Sequence, residues 1–169
     1  NSLALNAFRT PIFGPLGIVD NNRVIYYRNM DTRQVHDIGE LEERVYLIKT
    51  VVGMDSSYLK FVVDQGAKGI VIESFGRGNV PPTMVEGIRY ALSKNIHVVV
   101  VSRCYEGRVY GSYGYEGGGS HLRKMGVIFG DALPGQKARI KLMVALSIYD
   151  TAEEVREWFE RDLYKEEVD

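Results

Sequence analysis

The sequence contains little cysteine, no large excess of either charge and no long apolar run. Its single cysteine, Cys104, cannot form an internal disulfide, which favours a cytoplasmic protein, and we expect it to be a small buried hydrophobic residue. The net charge of -1 argues against nucleic acid and anionic membranes as partners. Apolar runs such as HVVVV at 97–101 are far too short to span a bilayer.

Several familiar catalytic and cofactor-binding patterns are also missing. His36, His97 and His121 lie far apart without the spacing of metal ligands, so we expect no metal site. The glycine run 117–119 could cradle a phosphate, but it lacks the Gly-Lys-Ser/Thr ending of a P-loop. The serines and threonines provide no convincing nucleophile–base pair. Composition and spacing therefore indicate at most an α/β domain with an edge that binds a small ligand.

Strand and helix patterns alternate regularly from about residue 45. The chain of 169 residues, 45% of them hydrophobic, is long enough for one domain with a substantial core. Near-continuous apolar runs predict buried parallel strands, and amphipathic stretches predict the helices between them. The expected strands are 45–51, 69–74, 97–102 and a short one within 121–130, and the expected helices are 55–65, 82–95, 134–148 and 151–163. The predicted fold class is α/β, with a small parallel sheet of about four strands flanked by helices.

Some helix ends carry recognisable capping residues. Asp55 is expected to N-cap the first helix and Gly66 to end it. Thr151 and Glu154 have the spacing of a capping box at the start of the last helix. Pro134 is expected near the first position of the helix before it.

The first 43 residues have a different character. Residues 1–30 are predicted to be an arm with a β-hairpin that turns at Asn21-Asn22, packing on something outside this chain. Residues 31–43 are polar and predict a linker, which leaves 44–169 as the α/β domain. Because the chain begins at an asparagine rather than a methionine, we interpret it as a fragment or a processed product.

Polar residues cluster in the loops that follow the second and third predicted strands. Ligands of open α/β sheets bind outside the carboxyl ends of the strands, and both loops can reach that edge. The first loop, SFGRGNVPP at 74–82, holds Arg77 and Asn79. The second loop holds Arg103, Glu106, Glu116 and His121. A carboxylate and an amide at one edge suit a ligand with an ammonium group, although GRGN is also an ordinary turn sequence.

The chain resembles the C-terminal domain of the bacterial and archaeal L-asparaginase family. The stretches that carry the resemblance occur in order along nearly the whole chain: NAFRTPIFGPLGIVDNNRVIYY, SFGRGNVPP with its G-x-G-N pattern, VVVVSRCYEG, YGYEGGG and MGVIFGDALPGQKARIKLMVAL. The resemblance implies that residues 1–30 close an N-terminal catalytic domain missing from this chain. That domain would supply the threonine nucleophile, so this chain alone is expected to be inactive.

The resemblance also implies roles for particular residues. The family's smaller domain reaches into the active site of a neighbouring subunit, which makes a homo-oligomer the expected assembly. Asn79 matches the G-x-G-N asparagine that helps to bind the amino-acid end of the substrate. Glu116 is the best match for the family's substrate-binding glutamate, with Glu106 as the second choice. The complete enzyme would hydrolyse L-asparagine to L-aspartate and ammonia without a metal or organic cofactor.

Two other functions are compatible with the same residues. The chain could belong to an asparaginase-like subunit of a tRNA-dependent amidotransferase, which carries an extra domain upstream. It could also be a free-standing regulatory module that binds an amino acid without hydrolysing it. The preference between asparagine and glutamine, allosteric regulation and the number of subunits stay open, since the first rests largely on the missing domain.

Overall fold

The computed structural model describes residues 3–10, 14–28 and 35–160 and divides the chain into two units, 1–37 and 38–169. In the first unit, strands β1 (Gly17–Asp20) and β2 (Arg23–Tyr26) pair antiparallel. Asn21 and Asn22 join them with φ angles of 45° and 58°, as a type I′ turn requires at both central positions. The predicted hairpin is therefore confirmed. The other residues of the predicted arm and linker fall partly outside the described ranges.

The second unit contains the predicted parallel sheet. Its strands are β3 (Val45–Lys49), β4 (Gly69–Ser74), β5 (His97–Ser102) and β6 (Ile128–Phe129), which lie side by side in that order. All neighbouring pairs are parallel. β4 and β5 have the predicted limits, whereas β3 ends two residues early because Val51 and Val52 turn out to solvent.

Helices connect the strands and cover the sheet. The described helices are α1 (Ser57–Asp64), α2 (Val85–Ser93), α3 (Gly119–Met125), α4 (Gly135–Leu146) and α5 (Ala152–Glu160). The predicted helix 82–95 opens as a 3₁₀ turn, Pro82–Met84, before α2 begins. Pro134 is the N-cap of α4 rather than its first residue. The part of the predicted helix 151–163 beyond Glu160 lies outside the described residues.

The N-terminal caps predicted for α5 and α1 have different outcomes. The capping box of α5 is confirmed, because the Glu154 N–H donates to Thr151 Oγ1 (3.3 Å) and the Thr151 N–H donates to Glu154 Oε2 (3.1 Å). The Thr151 hydroxyl also donates to Glu154 Oε2 at 2.6 Å, and this hydrogen bond, with that from the Thr151 N–H, holds the pKa of the Glu154 carboxyl below its usual range. The N-cap of α1 is Ser56 rather than Asp55, although Asp55 Oδ1 accepts the Ser57 N–H at 2.9 Å.

Both faces of the sheet are buried, as expected for a parallel sheet with apolar strands. Alternate strand residues belong to two separate apolar clusters: Ile70 and Ile72 pack toward α1 and α2, while Val71 packs toward α4 and α5. Among the described residues, no helix is both long and apolar enough to cross a membrane. No group of three or more His, Cys, Asp or Glu side chains suited to a metal ion occurs in the same part of the chain.

The expectation that Cys104 is buried is wrong. β5 ends at Ser102, and the chain then leaves the sheet edge, so that Cys104 is exposed. Its backbone N–H donates to Ser102 Oγ at 3.1 Å, which anchors the start of the exposed segment 103–108.

Candidate functional site

A tight turn at the carboxyl end of β4 fixes the backbone of Asn79. Phe75 and Asn79 face each other as an antiparallel bridge, with the Phe75 N–H donating to Asn79 O (2.8 Å) and the Asn79 N–H donating to Phe75 O (3.1 Å). The turn between them needs glycine, because Gly76 and Gly78 have φ angles of 46° and 112°. Both backbone polar groups of Asn79 are thus used within its own turn.

The second loop docks on this turn through its backbone. The Tyr110 N–H donates to Arg77 O (2.8 Å), and the Val80 N–H donates to Gly117 O (2.9 Å). The Arg77 guanidinium also lies over the Tyr110 ring, 5.5 Å from its centroid. The loops that follow β4 and β5 therefore meet at one sheet edge, as the sequence predicted.

The side chain of Asn79 joins the two loops. Its Oδ1 accepts the Gly119 N–H at 3.2 Å, at the first residue of α3, and the side chain is partly buried. Within the described residues, the NH₂ group of Asn79 has no hydrogen-bond partner. Asn79 is thus oriented with an unused NH₂ donor that a ligand oxygen could accept from.

Glu116 stands at the corner of a second turn beside the first. The Gly118 N–H donates to Tyr115 O (2.8 Å) and closes a turn with Glu116 and Gly117 in its middle. Gly117 has a φ of 82°, the left-handed value that favours glycine at the third position of such a turn. The Glu116 side chain is exposed. The next residue, Gly117, accepts the Val80 N–H through its carbonyl oxygen.

Three consecutive glycines let the second loop pack this closely. A Cβ on Gly118 would lie 2.5 Å from Tyr113 O, and one on Gly119 would lie 2.8 Å from Tyr110 O. A Cβ on Gly117 would lie closer still to Val80 O. The space that side chains would take at 117–119 is filled by the chain's own carbonyl groups, so these glycines are needed for the packing of the loop.

The remaining sequence candidates have other positions or contacts. Glu106 lies on the exposed segment 103–108. Arg103 stacks on Phe75 (4.4 Å from guanidinium carbon to ring centroid) and donates to Thr50 O at 3.1 Å. It therefore stabilises the start of the turn that holds Asn79. His121 Nδ1 accepts the Gly117 N–H at 3.2 Å.

Sequence reasoning missed Glu73, a carboxylate inside an apolar strand. Glu73 is only 7% exposed, and its Oε2 lies 3.3 Å from Lys49 Nζ. Its carboxyl occupies the space that a side chain on Gly135 would need, at the start of α4, where the helix dipole favours negative charge. The single glutamate in GIVIES was the available signal.

The fold and this edge define a parallel α/β domain that carries one amide and one carboxylate on two hydrogen-bonded loops at the ends of its strands. Residues 44–159 match the family described as the glutaminase/asparaginase C-terminal domain, and the chain belongs to that family. The resemblance seen in the sequence is thereby confirmed.

Individual relatives come from two kinds of enzyme. The chain is 39% identical over 137 residues to an L-asparaginase from Bacillus licheniformis, covering 81% of this chain and 42% of the relative. It is 37% identical over 139 residues to a glutamyl-tRNA(Gln) amidotransferase subunit from Methanococcus maripaludis (strain C7), covering 80% of this chain and 32% of the relative. The corresponding amidotransferase subunit of Methanopyrus kandleri is 36% identical over 159 residues, which is 89% of this chain and 34% of the relative. The chain therefore spans less than half the length of these relatives.

Proposed function

We propose that the chain is the C-terminal domain of an L-asparaginase that, when complete, hydrolyses L-asparagine to L-aspartate and ammonia in the cytoplasm. Family membership and the 39% identity to an L-asparaginase support this assignment. The observation that carries it is the hydrogen bond from Gly119 to Asn79, which ties the Asn79 turn to the loop that holds Glu116.

The geometry favours different ligand groups for the two side chains. The free NH₂ group of Asn79 is a donor and suits a ligand carboxylate oxygen, whereas the exposed Glu116 carboxylate suits the α-ammonium group. The donor is assigned to the carboxylate because the Asn79 amide oxygen already accepts one hydrogen bond from Gly119, whereas its NH₂ group has no partner among the described residues. Together the two residues would hold the amino-acid end of L-asparagine.

The chemical step would take place on another domain. The family resemblance implies a threonine nucleophile in an N-terminal domain, forming an acyl-threonine intermediate that water hydrolyses. Asn79 and Glu116 would be delivered to the site of a neighbouring subunit of a homo-oligomer. Exposed tyrosines beside the site suit such a contact, since Tyr is enriched in protein interfaces. Tyr110 is 59% exposed, and the ring centroids of the exposed Tyr113 and Tyr115 lie 5.7 Å apart.

The assignment is tested by measuring ammonia release from L-asparagine, with L-glutamine in parallel, for this chain and for the full-length gene product. We expect the full-length product to be active and this chain alone to release no ammonia. Turnover by the isolated chain would place a nucleophile among residues 1–169. It would overturn the assignment of the chemical step to another domain. An inactive full-length product that does not bind L-asparagine would overturn the assignment itself.

A second candidate is the asparaginase-like subunit of a glutamyl-tRNA(Gln) amidotransferase. It is favoured by the 36–37% identity to such subunits from Methanococcus maripaludis and Methanopyrus kandleri. A protein of this kind would release ammonia for a partner enzyme. The full-length gene discriminates between the two candidates, because the amidotransferase subunit carries an extra domain upstream of the catalytic domain.

A further inference from the structure

His121 reaches back from the first turn of α3 to the residue that follows Glu116. Its Nδ1 accepts the Gly117 N–H at 3.2 Å, and the ring is partly buried. This N–H belongs to the peptide bond between Glu116 and Gly117. The imidazole therefore holds one of the two peptide planes that flank the Glu116 Cα.

The other contacts of this turn act elsewhere. The Val80 N–H holds the carbonyl on the far side of Gly117, and the Gly118 N–H closes the turn onto Tyr115 O. Glycine has access to many backbone conformations, so the peptide plane between Glu116 and Gly117 can rotate unless something holds its N–H. Among the described residues, the hydrogen-bond acceptor at that N–H is His121.

We propose that His121 is a positioning residue for Glu116: its ring nitrogen fixes the Glu116–Gly117 peptide plane so that the carboxylate is preset for the substrate's ammonium group. This inference rests on the proposed function. Fixing the carboxylate before binding lowers the entropy that is lost when the ligand binds. Only the neutral imidazole with its proton on Nε2 can accept at Nδ1, so the structure also assigns the tautomer.

The chemistry of the contact allows a matched pair of substitutions. His121→Phe keeps the ring but has no acceptor. His121→Asn carries an oxygen on Cγ, where histidine carries Nδ1, and can still accept the Gly117 N–H. His121→Ala replaces the phenylalanine variant if the latter does not fold.

The experiment uses steady-state kinetics of the full-length enzyme with L-asparagine. His121→Phe is expected to raise KM about fivefold to tenfold, the size of one lost hydrogen bond, with kcat within about twofold of wild type. His121→Asn is expected to restore KM to within about twofold of wild type. Hydrogen exchange in the peptide that contains residues 113–119 should be faster in the phenylalanine variant and near normal in the asparagine variant.

Different results separate the inference from the proposed function. Equal effects of phenylalanine and asparagine on KM, or a change in thermal stability with KM unchanged, would reduce His121 to a structural role. Glu116→Gln is the reference variant: if it raises KM while His121→Phe does not, only the positioning role fails. If Glu116→Gln and Asn79→Asp both leave KM unchanged, the proposed function fails as well.

Discussion

Replacing Asn79 by aspartate in the complete enzyme is expected to raise KM for L-asparagine about tenfold to a hundredfold, with the fold intact. Aspartate keeps an oxygen that can accept the Gly119 N–H, so the two loops stay joined. It replaces the free NH₂ donor with a charged oxygen, which would face the substrate carboxylate. The lost hydrogen bond to a charged group corresponds to about 1.5–3 kcal/mol. KM is measured by ammonia release, and the fold by circular dichroism and thermal denaturation.

Asn95→Asp is the matched control for this substitution. Asn95 is exposed, directly after α2 and before β5, at the opposite end of the strands from Asn79. It undergoes the same change of one charge and should leave KM unaltered. Asn79→Ala, which removes both the donor and the oxygen, should raise KM and also lower thermal stability. Wild-type KM in the aspartate variant together with a raised KM in the alanine variant would mean that Asn79 only holds the loops together.

Gly117→Ala is expected to destabilise this chain by about 2–4 kcal/mol, by combining two costs. The new Cβ would clash with the Val80 carbonyl oxygen, which belongs to the backbone and cannot rotate away as a side chain could. The φ of 82° also disfavours any residue with a Cβ, by about 1–2 kcal/mol. The free energy of unfolding is measured by chemical denaturation.

Gly76→Ala separates these two costs. Gly76 also has a positive φ, 46°, but apart from its two chain neighbours no described residue has a heavy atom within 4 Å of the position that its Cβ would take. We therefore expect a loss of only about 1–2 kcal/mol there, from the backbone conformation alone. Equal losses at the two glycines would show that the second loop does not pack on Val80 as described.

Much of the fold follows from local patterns in the sequence. The limits of β4 and β5 are visible because continuous apolar runs stop at polar or glycine residues on both sides. The hairpin turn follows from Asn21-Asn22, because asparagine tolerates positive φ, and the start of α5 follows from the spacing of Thr151 and Glu154. The early end of β3 could not be predicted, since Val51 and Val52 continue an apolar run although both are exposed.

The position of the two loops at one sheet edge could be predicted, but their contacts could not. Strand ends indicate the edge, and Asn79 and Glu116 are proposed as binding residues from the family resemblance. The hydrogen bond between Asn79 and Gly119 spans 40 residues of sequence, so no local pattern reveals that the amide oxygen is already used. The same limit applies to the glycines at 117–119, whose need is set by carbonyl groups of distant residues such as Val80.

We propose that Asn79 and Glu116 act in the active site of a neighbouring subunit, and complementation between two full-length variants is the direct test. Full-length protein carrying Asn79→Asp is co-expressed with full-length protein whose catalytic-domain threonine is replaced, and ammonia release is measured at low L-asparagine concentration. We expect mixed oligomers to regain activity, because an intact catalytic domain of one subunit can meet an intact Asn79 of the other. Activity no higher than that of the two variants assayed separately, in oligomers shown to be mixed, would contradict it.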